Sequence, residues 1–337
     1  MKRGEGLYPK SSTGLSRLAR TLLVAVLLLA SGCGQQGAAR ETGLESSQQR
    51  PTIRIAYPGI SATIWPFMYG QEKGIFEQEG LDVEMNRIRG VPQIIATLLS
   101  GDIDVAWVGF DGMASAVAQG ATDLRYIGEF LTEFPLYLVV APHIHSFDDL
   151  RGEPVATAGP GSITETLFLE GLRRGGLTDP RKDTEFMNMS GPDTRLTQLL
   201  HGTFVGVALN APWAQQAEAR GFRILQYQGD FLLPWGGEGP ITTTRVISSK
   251  RQALQGLMNG LGRSIRGLAE NRGEAIKVAT EYMKLEPALA EKVYDVMMPV
   301  FKFDGEFNLE GIQRTFDSKS GPGKKIEASQ FLDESFL

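Results

Sequence analysis

One segment of this chain is written twice at a fixed distance. Thr97–Val108 (TLLSGDIDVAWV) is followed 101 positions on by Gln198–Leu209 (QLLHGTFVGVAL), so Leu98-Leu99-Ser100-Gly101 lies over Leu199-Leu200-His201-Gly202. The same spacing sets Gly90 over Gly191, Asp82 over Asp183, Glu84 over Glu185, and Ser61 and Thr63 over Ser162 and Thr164. An offset held constant from Ser61 to Val108 implies one α/β unit used twice, hence two lobes of like topology facing across a cleft. Open α/β sheets take ligands beyond the carboxyl ends of their strands, so the cleft is the expected site. At 337 residues the chain is also longer than one core usually fills.

The pattern between the repeats supports this. Ile53–Tyr57, Leu81–Ile88, Val105–Val108, Leu124–Ile127 and Leu136–Val140 read as strands, and Val91–Ser100 has the apolar spacing of a helix that stops at Gly101. The second copy repeats the order from Val155 to Gln226. After Ile241–Val246 only helical patterns remain, from Lys250 to Asp317, and such a block must pack on an existing sheet. The expected division is lobe one over 52–140 plus 242–337 and lobe two over 141–241, joined by a two-crossing hinge.

The amino terminus is of another kind. Lys2, Arg3, Lys10, Arg17 and Arg20 precede the apolar run Thr21–Ala30, which is too short to span a bilayer, and Ala30-Ser31-Gly32-Cys33 follows. This resembles a bacterial lipoprotein signal, with Ala30 where most such signals carry Leu, Val or Ile. It implies a signal peptide over 1–32, acylation of Cys33, and a polar tether over 33–51 holding the fold to a membrane. Cys33 is the only cysteine, so disulfides contribute nothing. Five cations and one acid leave with such a leader, which takes the formal charge from −5 to about −9. A pI near 5.5 without a Lys/Arg cluster argues against nucleic acid.

Several motifs in order then resemble one family. Tyr69-Gly70-Gln71-Glu72-Lys73-Gly74-Ile75-Phe76 with Glu79-Gly80-Leu81-Asp82-Val83 is similar to the "A-x-E-K-G-F-F-x-x-x-G-L-D-V" opening of ABC-transporter substrate-binding proteins. The branch is the one that includes alkanesulfonate, nitrate, taurine and thiamine-pyrimidine-precursor binders. Leu99–Asp104 resembles its "L-x-x-G-x-x-D", Asp149–Val155 its "D-L-x-G-K-x-V", and Gly161-Ser162 its lobe-two loop. The resemblance covers Ile53 to Ser318 and implies a type-two periplasmic-binding fold. It also implies a small-molecule ligand between the lobes and an ABC permease with its ATPase as partners, the receptor acting as a monomer. It departs at Asn210-Ala211-Pro212-Trp213, where many sulfonate and nitrate binders read Trp-Asp-Pro-Tyr or Trp-Glu-Pro, and at Ile163-Thr164-Glu165.

Four loop-to-helix junctions are expected at the cleft: Tyr57–Thr63 with Ala158–Thr164, and Gly109–Gly112 with Asn210–Trp213. Helix amino termini there offer free N–H groups to an anion or acceptor-rich ligand. Gly59 lets the backbone approach closely, and Ser61, Ser162 and Thr164 supply hydroxyls that also serve as caps. Asp111, beside Gly112, suits an amine or ring N–H, or caps its own helix, and Gln93 suits a polar ligand edge. Trp65, Trp213 and Trp235 are candidates for stacking on a flat ligand, or for the core. The helix termini and the family point to an oxyanion. Asp111, Asn210 and the tryptophans point to a heterocycle or aromatic acid. No cofactor is expected, and His143, His145 and His201 have no acidic cluster to complete a metal site. The thiamine-pyrimidine synthases of the same fold use a cysteine-rich motif and a histidine that this chain lacks. There is no Gly-x-Ser-x-Gly elbow either, so the chain reads as a receptor rather than an enzyme. A co-receptor for a sensor kinase is the alternative role.

Overall fold

The computed structural model describes residues 50–227, 235–321, 323 and 325–337. The leader, Cys33 and all but the end of the tether lie outside the described residues. Lobe one opens with β1 (Thr52–Tyr57), α1 (Trp65–Glu72), α2 (Ile75–Gln78), β2 (Asp82–Arg87), α3 (Val91–Ser100), β3 (Val105–Gly109), α4 (Phe110–Ala118) and β4 (Leu124–Tyr126). Lobe two holds β5 (Leu136–Val140), β6 (Pro154–Thr157), α5 (Ile163–Arg174), α6 (Pro180–Asp183), β7 (Glu185–Asn188), α7 (Pro192–Leu200), β8 (Gly206–Asn210), α8 (Trp213–Glu218) and β9 (Arg223–Tyr227). The chain then returns to lobe one as β10 (Glu238–Thr243), α9 (Thr244–Glu270), α10 (Arg272–Met283), α11 (Pro287–Met297) and α12 (Leu309–Lys319).

The two sheets are the same sheet built twice. Their strand orders are β2-β1-β3-β10-β4 and β7-β6-β8-β5-β9, with the fourth strand of each antiparallel to the third. The repeat is visible at single residues. Gly90 (φ 93°) and Gly191 (φ 90°) each open a helix with proline in its first turn, a backbone region that side chains other than glycine's rarely enter. Strand pairing shows where the copies differ in length: Ile55 faces Val105, and Val155 faces Gly206. The offset is therefore 100 in the first strand and 101 after it. The additional residue lies in the loop before α5, around Gly159-Pro160-Gly161.

Both crossings lie earlier in the chain than expected. Leu136–Val140 is assigned above to lobe one but forms β5, paired with β8 and β9 in lobe two. A continuous apolar run reads alike in either sheet, so nothing local states its partner. The return to lobe one, expected at residue 242, comes with a strand that begins at Glu238 and ends at Thr243, because Gly239-Pro240 reads as loop while pairing carries it through the sheet. The lobes thus divide between β4 and β5 and again between β9 and β10. At this junction Leu131 bridges to Glu238 and to Phe301, fastening the crossings together.

The late helices complete lobe one. α9 lies against α1 and β1, burying Leu254, Leu257, Leu261 and Ile265 beside Trp65, Phe67 and Trp107. α12 closes the other face, setting Phe316 edge-on to Phe110. Among the described residues no helix is long and apolar enough to cross a membrane.

Candidate functional site

The ends of β1, β3, β6 and β8 and the loops after them enclose a cavity of about 70 Å³ between the lobes. Its wall is built from both copies: Gly59, Ser61, Thr63, Gly90 and Gly109 from lobe one, and Ser162, Thr164, Ser190, Gly191 and Asn210 from lobe two, with Arg195 and Glu238. Three helices, α3, α5 and α7, point their amino ends at it, and each brings free N–H groups and a positive dipole end.

The copies agree in their hydroxyls and differ in their stronger polar groups. Ser61 and Ser162 correspond, as do Thr63 and Thr164, and all four line the cavity. Arg195 stands where the first copy has Ile94, a fully buried core residue. Asn210 stands where the first copy has Gly109, and Glu238, facing Gly109 across the sheet, occupies the place of Leu136, which faces Asn210. The site's asymmetry therefore comes from three substitutions in a duplicated frame.

Each is buried. Arg195 donates through Nε to the Ala208 carbonyl (2.7 Å) and through Nη1 to that of Met189 (2.8 Å). Burial lowers its pKa to about 10, so it remains a cation at neutral pH. Burial raises Glu238 to about 8, partly offset by the Thr63 hydroxyl, which donates to Oε1 at 3.4 Å. Its carboxyl is therefore mostly protonated at neutral pH, and Oε2 has no partner. Asn210 Oδ1 is also buried and unpartnered. Ser61 and Thr63 share a hydrogen bond of 2.8 Å. Ser162 is committed to its loop: it donates to the Gly159 carbonyl (2.8 Å) and accepts from the Glu165 amide (3.2 Å). With one cation, a neutral acid and three helix amino ends, the wall favours an anion.

The lobes are closed on this cavity. Arg87 pairs with Asp193 (2.7 Å) and Arg89 donates to Thr194 (3.2 Å) on one side of the cleft. Elsewhere Trp213 Nε1 donates to the Ile60 carbonyl (2.7 Å), and Thr166 donates to Asp111 (2.9 Å). Gly109 lies so near Ile163 that a Cβ there would sit 2.7 Å from its Cγ2.

Of the residues singled out from sequence, Gly59, Ser61, Ser162, Thr164 and Asn210 line the cavity, and Trp65, Gln93, Asp111, Gly112 and Trp235 do not. Trp65 is in the core, edge-on to Tyr294. Trp235 packs on the second lobe's core, and Gln93 is exposed and folds back over Gly90. Gly112 is small because α3 passes there: a Cβ would meet Val91 at 2.4 Å. Asp111 is fully buried beside Lys319 (2.7 Å) and Thr166, a tie between elements rather than a cavity wall. The tryptophans and Asp111 thus lie outside the cavity wall. Thr63 lies in the expected Tyr57–Thr63 junction, and Arg195 and Glu238 were missed. The repeat held the signal for Arg195, since it interrupts a position that is isoleucine in the other copy.

Comparison with known proteins matches residues 61–275 to the family model "NMT1/THI5 like". The chain is 28% identical over 197 residues to a Bacillus subtilis protein named as a binding protein, YtlA, covering 57% of each chain. It thus spans about half the length of that relative. A second Bacillus subtilis protein, named as an aliphatic sulfonates-binding protein, is 32% identical over 111 residues, 32% of this chain and 31% of its own. Among solved structures, the alkanesulfonate-binding protein SsuA from Xanthomonas axonopodis pv. citri, bound to MOPS, superposes with a TM-score of 0.71 at 21% identity. That match covers 85% of this chain and 99% of SsuA. The fold is that of periplasmic binding proteins.

Proposed function

Because the chain belongs to the NMT1/THI5-like family, we propose that it is an extracytoplasmic solute-binding protein that captures a small oxyanion-bearing solute and delivers it to an ABC importer. The observation that carries this is the cavity itself, closed between two lobes, with Arg195 and the amino ends of α3, α5 and α7 converging on it. A solute held there gains from both lobes at once, so binding and closure reinforce each other. The named relatives support the solute class: one is named for aliphatic sulfonates, and SsuA held MOPS, itself a sulfonate. The leader and Cys33 are read as a lipoprotein signal that anchors the fold to a bacterial membrane, with 33–51 as the tether.

The test is a thermal-shift screen of ligand-free protein against alkanesulfonates, nitrate, small carboxylates and aromatic acids. A solute present at a hundred times its Kd adds about 2.7 kcal/mol, a shift of several degrees. Small oxyanions should shift the transition and aromatic acids should not. Silence from every anion would overturn the reading.

A further inference from the structure

We propose that Glu238 meets the solute as an uncharged acid, donating a hydrogen bond from Oε2 to the oxyanion at the end of a hydroxyl relay that runs from Ser61 through Thr63. This rests on the proposed solute-binding role of the cavity and names the residue that makes capture depend on pH. Each hydroxyl has a single proton to give. Thr63 gives its proton to Glu238 Oε1 (3.4 Å), so in its 2.8 Å contact with Ser61 it accepts and Ser61 donates. Oε1 is thereby the accepting oxygen of the carboxyl, and the acid proton falls to Oε2. That oxygen is buried and unpartnered, on a residue of the cavity wall. Buried polar atoms are nearly always paired, so the occupant has to supply its partner. All three donors of the relay then point one way, from Ser61 toward the cavity.

The surroundings hold the group as an acid. The titratable groups that face Glu238 from neighbouring elements are the Tyr126 phenol on β4 and the Glu129 carboxyl at the crossing, and neither supplies a positive charge. Arg195 shares the cavity wall but spends two nitrogens on the Ala208 and Met189 carbonyls. A carboxylate at Glu238 would be buried without a paired cation and would repel an oxyanion. The acid avoids both costs and adds a donor to those of the helix amino ends, and a hydrogen bond to an ionised acceptor is among the stronger ones. With the empty group titrating at about 8, the donor is present at neutral pH, and a bound oxyanion holds the proton more firmly. Ser61 and Thr63 are then positioning residues that fix which oxygen carries the proton. The second copy has no such relay, because Leu136 stands in the place of Glu238.

The experiment is titration calorimetry with methanesulfonate, ethanesulfonate, nitrate and acetate, which all stay ionised from pH 6 to 9, so that any step in their binding belongs to the protein. Each is measured across that range in two buffers of different ionisation enthalpy. Affinity should be level to about pH 7, fall about tenfold by pH 9, and be accompanied there by uptake of close to one proton. Arg195 titrates too high, at about 10, to supply that step. Glu238→Gln carries an amide N–H that donates at every pH. It should abolish the step and the uptake, and restore most of the affinity that Glu238→Met loses, about tenfold or more. The pH profile of Glu238→Gln decides the question even where Glu238→Met fails to fold. Thr63→Val withdraws the hydrogen bond that favours the ionised form, so its step should move to higher pH. Affinity that is flat or rises with pH, or a step that survives in Glu238→Gln, would overturn the donor and leave the receptor role standing. Silence from all four anions at every pH would overturn the donor and the oxyanion receptor together.

Discussion

Arg195 does two jobs with one guanidinium. It brings a cation to the cavity, and it satisfies the carbonyls of Ala208 and Met189, which would otherwise be buried without donors. Arg195→Met keeps the volume and removes both. Oxyanion affinity should fall at least a hundredfold by calorimetry, and urea denaturation should show a loss of about 2–4 kcal/mol from the orphaned carbonyls. Glu238 acts in the opposite sense on the empty protein. Its folded pKa of about 8 lies above its ordinary 4.5, so between those values the folded state holds a proton that the unfolded state releases. Glu129, raised by burial to about 7, adds the same sign over a narrower range. Ligand-free protein should therefore lose stability as pH rises from about 5 to 8 and then level off. Glu238→Gln should flatten that slope in urea midpoints taken across the range. The hydroxyls and glycines of this wall were legible because the two copies share them. Arg195 is hidden because a charge in a helix beside Leu196 and Leu199 has the pattern of a solvated face, and Glu238 because glycines and proline surround it.

At the scale of elements, helix starts set the cavity's geometry. α5 begins at Ser162, whose hydroxyl accepts from the Glu165 amide, while the Glu165 carboxylate accepts from the Gly161 amide at 3.0 Å. Such reciprocal capping fixes the loop through which the backbone approaches a solute. Ser162→Ala should cost about 1 kcal/mol in urea denaturation and weaken binding by more than the hydroxyl alone explains, because the loop loses its shape. The strands and helices were readable from periodicity, and the repeat gave the order of one sheet from the other. Which sheet receives β5 was not readable: that depends on pairing between segments distant in sequence, and an apolar run carries no label for its neighbours.

For the whole molecule the variable is closure. Gly109 has ordinary φ and ψ (−59°, 145°), so alanine suits its backbone, and the added methyl would strike Ile163 of the other lobe. Gly109→Ala should move ligand-free protein toward the open form and lower solute affinity at least tenfold by calorimetry. Small-angle scattering should show that ligand no longer compacts it, and trimming Ile163 to alanine should restore part of the response. The polar ties make the complementary case. Removing Thr166 and Asp193 together (Thr166→Val, Asp193→Asn) should raise the open population in ligand-free protein, read as a longer inter-lobe distance by paired spin labels.

The placing of the two crossings has a further consequence, in the order of synthesis. Among the described residues, all five strands of lobe two lie in one stretch, from Leu136 to Tyr227, whereas lobe one lacks its fourth strand until Glu238–Thr243 has been made. Until then β3 and β4 have nothing between them, and the α9 surface that covers Trp65 and Trp107 does not exist. Domains fold as units while a chain emerges. The lobe begun second is therefore the first that can be finished, and the lobe begun first is assembled around it.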